Sequence, residues 1–230
     1  MRKTKLFYCL LLVSIFMGGK VKAQDWPNLN RYHHENTVLK PAEAGQKRIV
    51  FMGDSITEFW STVDPEYFSG KPYVNRGISG QTTPQMLLRF RADVIALQPT
   101  AVVILAGIND IAENTGPMTI EMIRDNIFSM IELAKANHIK VILCSVLPAY
   151  DFPWKPNQEP IAKIKALNEI LQKYALANEI VYVDYYSAMV DEQKGLTVAY
   201  SNDGVHPNKT GYQVMEPLVD KAIALVLKSK

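Results

Sequence analysis

The sequence predicts an α/β chain: a three-layer α/β/α sandwich around a central five-stranded parallel sheet, doubly wound in the flavodoxin-like manner. Three observations carry this. Five short apolar runs of strand length recur along the chain, most of them closed by a Gly, Pro or Asp turn signal. Between them lie segments whose apolar residues fall at helical spacing. Strand and helix alternate, which implies right-handed crossovers and a parallel sheet covered on both faces.

In chain order, residues 24–47 are polar and irregular, with Trp26-Pro27 and Tyr32-His33-His34, and read as an arm or short helix lying on the domain. The first strand is the buried run from Arg48 to Met52, ended by Gly53; residues from Ile56 to Trp60 can then start a helix. A short extended piece follows at Tyr73-Val74-Asn75. Pro84 to Leu97 reads as a helix with Met86, Leu87, Phe90, Val94 and Leu97 on one face. The unbroken run from Ala101 to Ala106, ended by Gly107, is the third strand. Thr119 to Ala136 is helical, with Ile120, Ile123, Ile127, Met130 and Ile131 in register, and Asn137 marks its end. Lys140 to Val146 is the fourth strand, ended by Leu147-Pro148. Gln158 to Ala177 repeats the helical pattern with Ile161, Ile164, Leu167, Leu171 and Tyr174. Ile180 to Val183 is the fifth strand, ended by Asp184, and Asn208 to Leu227 closes the chain as a helix.

The first 23 residues read as a secretory signal peptide rather than as part of the fold. Arg2, Lys3 and Lys5 precede an apolar run from Leu6 to Met17, and Val21-Lys22-Ala23 offers small residues where a signal peptidase reads. The run is too short for a spanning helix, so no stable membrane insertion is expected. Its removal takes away five basic residues and no acid, and the net charge moves from +2 to −3. Without a basic excess, nucleic acid is not an expected partner. Cys9 leaves with the signal, so Cys144 stands alone and no internal disulfide can form. Residues 24–230 suffice for one hydrophobic core and are expected to form a single domain. The expected location is outside the cytoplasm, periplasmic or extracellular.

Ligand sites in doubly wound sheets form at the carboxyl ends of the strands. Gly53-Asp54-Ser55, Arg76-Gly77, Gly107-Ile108-Asn109-Asp110 and Leu147-Pro148 each follow a predicted strand, so they should crowd one sheet edge. Ser55 there would sit at a helix N-terminus, whose unpaired N–H groups favour developing negative charge; serine at such a place is also a common N-cap. Asp54 is expected to hold the loop. Asp203 and His206, three residues apart in Asp203-Gly204-Val205-His206-Pro207, can be presented to one side by a tight turn, with the carboxylate fixing the imidazole. His33 and His34 lie in the polar arm, and His138 follows a helix at the opposite sheet edge. Gly77 can bring a backbone N–H close to a substrate, and Asn109 can aim its amide at an oxyanion. Asp110 is expected to be structural.

Together these four segments resemble the four-block signature of the SGNH hydrolases, also called the GDSL esterase/lipase family. The blocks are Phe51 to Thr57, Asn75 to Gly80, Ala106 to Asp110 and Asp203 to Pro207, and the resemblance spans roughly residues 48 to 215. Ile56 stands where the family often carries Leu. The resemblance implies a carboxylic ester hydrolase with Ser55 as nucleophile, His206 as general base and then acid, and Asp203 orienting His206. It also implies an oxyanion hole made of the Ser55 N–H, the Gly77 N–H and the Asn109 side chain, with no metal and no organic cofactor.

For the substrate, export argues against acyl-CoA, and short connections with no long apolar lid argue against bulky lipids. The loop from Ala149 to Asn157 carries Tyr150, Phe152 and Trp154, which can stack on a sugar face or pack the loop onto the body. Trp60 has the same two readings. Trp60, Tyr150 and Trp154 are therefore the candidate substrate contacts, and the expected substrate is a short-chain acyl ester, chiefly acetyl, on a carbohydrate. A lysophospholipase of the cell envelope and an inactive carbohydrate-binding protein on the same fold are the alternatives.

Overall fold

The structure, a computed structural model, describes residues 24–42 and 45–228; the predicted signal peptide lies outside the described residues. Five parallel strands form one sheet in the order β2-β1-β3-β4-β5. They are β1 (Ile49–Gly53), β2 (Tyr73–Gly77), β3 (Ala101–Leu105), β4 (Lys140–Cys144) and β5 (Val181–Val183). The chain steps from β1 to β2 on one side and to β3 on the other, so the winding reverses beside β1. Gly53 is in register with both Gly77 and Leu105, which brings the carboxyl ends of the three strands level. Every residue of β1 and β3 is buried, as unbroken apolar runs in a two-sided sheet require.

Helices α4 (Thr83–Asp93), α6 (Ile120–Ala136) and α7 (Pro160–Ala177) pack side by side on one face. On the other lie α2 (Ser55–Val63), α3 (Pro65–Phe68), α8 (Tyr185–Met189) and α9 (Lys209–Lys228), while α5 (Ile108–Ile111) is a single turn after β3. The helical periodicity selects the buried face: Ile123, Ile127, Met130, Ile131 and Ala134 of α6, and Ile164, Leu167 and Leu171 of α7, are sealed from solvent. Thr119 caps α6 through its hydroxyl, as its residue type favours. The predicted helix over Pro84 to Leu97 is in fact broken. It leaves α-geometry at Val94, makes a short 3-10 turn over Ile95–Leu97, and stops where left-handed Gln98 precedes Pro99.

Beneath α2 the core is aromatic. Trp60 is 1% exposed and stacks on Tyr67 and Tyr212 at 5.0 and 5.2 Å, with Phe51 edge-on at 5.8 Å. The indole N–H donates to Glu216. Trp60 is therefore a core residue, which corrects its reading as a substrate contact: both faces of the ring are covered by other rings.

The polar arm is docked, as predicted. Its helix α1 (His33–Val38) rests against α4. Asn36 accepts from Arg76 and donates to Asp93, the Tyr32 hydroxyl bonds the Gly77 carbonyl, and Pro27 O accepts from Gln81. No helix among the described residues is long and apolar enough to cross a membrane.

Candidate active site

The strand ends bring the predicted segments to one edge. Asp54 at the end of β1 accepts the Ile56 N–H at 2.9 Å and caps α2, so Asp54 rather than Ser55 takes the capping role. Ser55 is thus the first helical residue, and its own N–H has no partner within the helix. Ser55 is 5% exposed, and its hydroxyl lies 2.9 Å from His206 Nε2. His206 Nδ1 lies 2.6 Å from Asp203 Oδ2. The second oxygen of Asp203 accepts the N–H groups of His206 and Val205 at 2.8 and 2.9 Å. The three-residue spacing therefore folds as predicted, into a turn that holds the carboxylate and imidazole together.

Ser201 ties off that turn. Its hydroxyl donates to His206 O at 2.7 Å and accepts the Gly204 N–H at 3.0 Å. Partial burial pushes the Asp203 carboxyl upward, but the His206 N–H, the imidazole and the Val205 N–H outweigh it and bring it down to about 2. Asp203 is therefore a carboxylate at any physiological pH.

The oxyanion side differs from the sequence expectation in one residue. The Gly77 N–H donates to Asn75 Oδ1 at 2.8 Å and is not available to a substrate. Gly77 is a glycine for a different reason: a Cβ there would lie 2.1 Å from the Glu58 N, so its absence lets α2 pack against the end of β2. Gly80, three residues on, has the properties such a donor needs. Gly80 has φ of +76°, open space where a Cβ would be, and an N–H with no hydrogen-bond partner among the described residues. It sits beside Asn109, whose Nδ2 donates to Gln81 O at 3.1 Å while its Oδ1 accepts from Asn114 at 2.9 Å. Asn109 is 3% exposed and has a second Nδ2 hydrogen to give.

A buried polar layer supports these loops. Arg89, fully buried in α4, donates to Gly53 O, Arg76 O, Gln81 Oε1 and Asp93 Oδ2, and so clamps the ends of β1 and β2 to the Gly80–Gln81 turn. Asp110 accepts the Thr83 N–H and hydroxyl, and fixes the start of α4, the structural role expected of it. Burial pushes the Asp54 carboxyl up to about 7, against the Ile56 N–H that holds it down, and nearby Asp110 adds to the rise. Burial likewise pushes Asp110 up to about 6, against its bonds from Thr83.

Two aromatic side chains flank His206. Phe59 lies 5.4 Å from its ring and Trp154 lies 5.9 Å from it, and both are partly exposed. Trp154 is where the sequence placed a substrate contact; Phe59 was not singled out, although it is one residue before Trp60 on the helix's outer side. Phe152 is fully buried beneath Trp154. Tyr150 is 63% exposed and borders a cavity of about 370 Å³ that Asp203 also lines, together with Asp151, Asp191, Gln193 and Gly204. His33 and His34 sit on α1 and His138 lines a cavity at the opposite sheet edge, so none joins this cluster.

Residues 51–214 match the sequence model of the GDSL-like lipase/acylhydrolase family. The chain belongs to this family. It is thus a carboxylic ester hydrolase of the SGNH type, and its sheet and flanking helices are those of the family fold. The crystal structure of a Bacteroides fragilis protein assigned to the acylhydrolases is 51% identical, with a TM-score of 0.88, over 90% of this chain and 100% of that one. A GDSL-like lipase from Bacteroides thetaiotaomicron is 50% identical, with a TM-score of 0.83, over 86% of this chain and 98% of that one. Among characterised sequences, esterase TesA of Pseudomonas aeruginosa is 27% identical over 74% of this chain and 84% of its own length. An uncharacterised lipoprotein, YqeF of Bacillus subtilis, is 36% identical over 130 residues, and the match spans 40% of that protein's length.

Proposed function

We propose that this GDSL-family enzyme is an exported serine esterase that removes short acyl groups, chiefly acetyl, from carbohydrates through an acyl-enzyme on Ser55. The observation that carries the mechanism is the continuous relay from Ser55 Oγ through His206 to Asp203, at 2.9 and 2.6 Å. As Oγ attacks the ester carbonyl, its proton passes to His206 Nε2, and Asp203 stabilises the imidazolium that forms. The carbonyl oxygen becomes negative and is met by the N–H groups of Ser55 and Gly80 and by Asn109 Nδ2. His206 then gives its proton to the departing sugar alkoxide. Water repeats the sequence on the acyl-enzyme and frees the acid and Ser55.

The choice of a sugar rests on the surroundings of the relay. The cavity beside Asp203 is lined by Asp151, Asp191 and Asp203, with Tyr150 exposed at its border. Sugar hydroxyls can donate to such carboxylates and a pyranose face can stack on tyrosine, whereas a phosphate headgroup would be repelled. This disfavours the lysophospholipase reading. The test is hydrolysis of p-nitrophenyl acetate, butyrate, octanoate and palmitate by residues 24–230, followed by acetylated xylo- and manno-oligosaccharides. Activity confined to short acyl chains and higher on acetylated glycans is expected. A preference for octanoate or longer would overturn the substrate assignment.

A further inference from the structure

We propose that Asn114 is a positioning residue that joins Trp154, beside the leaving group, to the oxyanion donor Asn109. The proposal rests on the esterase reading above and adds a residue to it. Asn114 lies on the turn after α5, where its N–H bonds Asn109 O at 3.0 Å. Its side chain spans two parts of the site. Nδ2 donates to Asn109 Oδ1 at 2.9 Å, and Oδ1 accepts the Trp154 indole N–H at 3.0 Å.

The first bond acts with the Gln81 carbonyl to set which way the Asn109 amide faces. With Oδ1 held by Asn114 and one Nδ2 hydrogen held by Gln81 O, the remaining hydrogen is left for the oxyanion. A turned-over amide would offer Oδ1 to the oxyanion and repel it. The second bond ties the indole that lies against His206 to the same side chain. A neighbouring pair reinforces the link: Lys155 Nζ bonds both the carbonyl and the carboxylate of Glu113, at 3.1 and 3.2 Å. The aromatic loop is thus fastened at two successive residues to the turn that aims Asn109. A leaving group resting on Trp154 steadies the bond chain that orients the oxyanion donor, so the fit of the leaving group is felt in kcat as well as in KM.

The test is a double-mutant cycle on the full mature chain with p-nitrophenyl acetate, using Asn114→Ala, Trp154→Phe and the pair, with Asn114→Asp alongside. Asn114 is exposed, so the variants are expected to fold, and a thermal melt checks this. Asn114→Ala removes all the side-chain bonds of Asn114, of which the one to Asn109 Oδ1 orients the oxyanion donor, so kcat should fall about 5- to 10-fold with KM nearly unchanged. Trp154→Phe keeps an aromatic ring but loses the N–H, and the pair should be little worse than Asn114→Ala alone. Asn114→Asp keeps the acceptor for Trp154 but sets a carboxylate against Asn109 Oδ1. The amide should turn over, and kcat should fall about 100-fold, as when an oxyanion donor is removed. A purely structural role would make Asp the milder substitution. Additive effects, an unchanged kcat in Asn114→Ala, or Asp milder than Ala would each overturn the proposal. Full activity in Ser55→Ala would instead overturn the esterase mechanism, so the two failures are distinct.

Discussion

Replacing Asp203 with asparagine probes the relay at the point where the structure dictates the outcome. Asp203 Oδ1 is held by two backbone N–H groups, from His206 at 2.8 Å and Val205 at 2.9 Å. An asparagine must keep its carbonyl oxygen at that position, because an NH₂ there would face two fixed donors. Its NH₂ is then forced toward His206 Nδ1. The imidazole must accept at Nδ1 and so carries its proton on Nε2, pointing at Ser55 Oγ, where it cannot take the serine proton. The substitution therefore inverts the tautomer while leaving the turn intact, and kcat should fall by about 10⁴. The assay is steady-state hydrolysis of p-nitrophenyl acetate, with circular dichroism to confirm an unchanged fold. A loss smaller than about tenfold, in a folded variant, would refute the reasoning that the carboxylate sets the tautomer of His206.

Three further outcomes follow from the same geometry. Asn109→Ala removes a buried donor and should lower kcat by about 10²–10³ with little change in KM, measured on the same ester. Asp54→Asn keeps an N-cap of equal quality but removes a carboxyl that burial raises to about 7. Between about pH 4 and 7 the folded chain binds more protons at Asp54 than the unfolded chain does, so wild-type stability falls as pH rises through that window, by on the order of 4 kcal/mol from this group. In urea unfolding the asparagine variant should accordingly gain on the wild type from pH 5 to pH 8, and a constant gap would count against the assignment. Trp60→Ala should cost about 3–5 kcal/mol in urea unfolding yet leave KM near the wild-type value in the folded protein, because the ring is core and touches no substrate.

The fold was legible because its signals are local. Runs such as Ala101 to Leu105 are too short for a buried helix and rich in β-branched residues, and the turn residues after them mark where each strand stops. Ser55, Asp203 and His206 were legible chiefly through the four-block resemblance, because a serine after a strand reads equally as an N-cap and an Asp-x-x-His spacing is common when taken alone. Gly77 and Gly80 were not separable on such grounds. Both lie in one six-residue block that closes β2, and the choice depends on packing and side-chain bonding: α2 sits on Gly77, and the Asn75 side chain takes its N–H. Trp60 could have been placed, since it falls four residues after Ile56 and shares its buried face. Arg89 likewise falls between Met86 and Phe90 on the inward face of α4, an unusual place for a charge, and such a residue signals a buried polar layer. Asn114 gave no signal, because its importance arises only when the 150–157 loop folds back onto the turn after α5.

The central claim is that Ser55 is the group that becomes acylated. The most direct test is labelling with a fluorophosphonate, which forms a stable phosphonyl ester only on an activated serine, followed by mass spectrometry of the peptides. The account predicts a single modified residue, Ser55, no label in Ser55→Ala, and labelling strongly slowed in His206→Ala. A label on another serine, or an equal label in the Ser55→Ala protein, would contradict it.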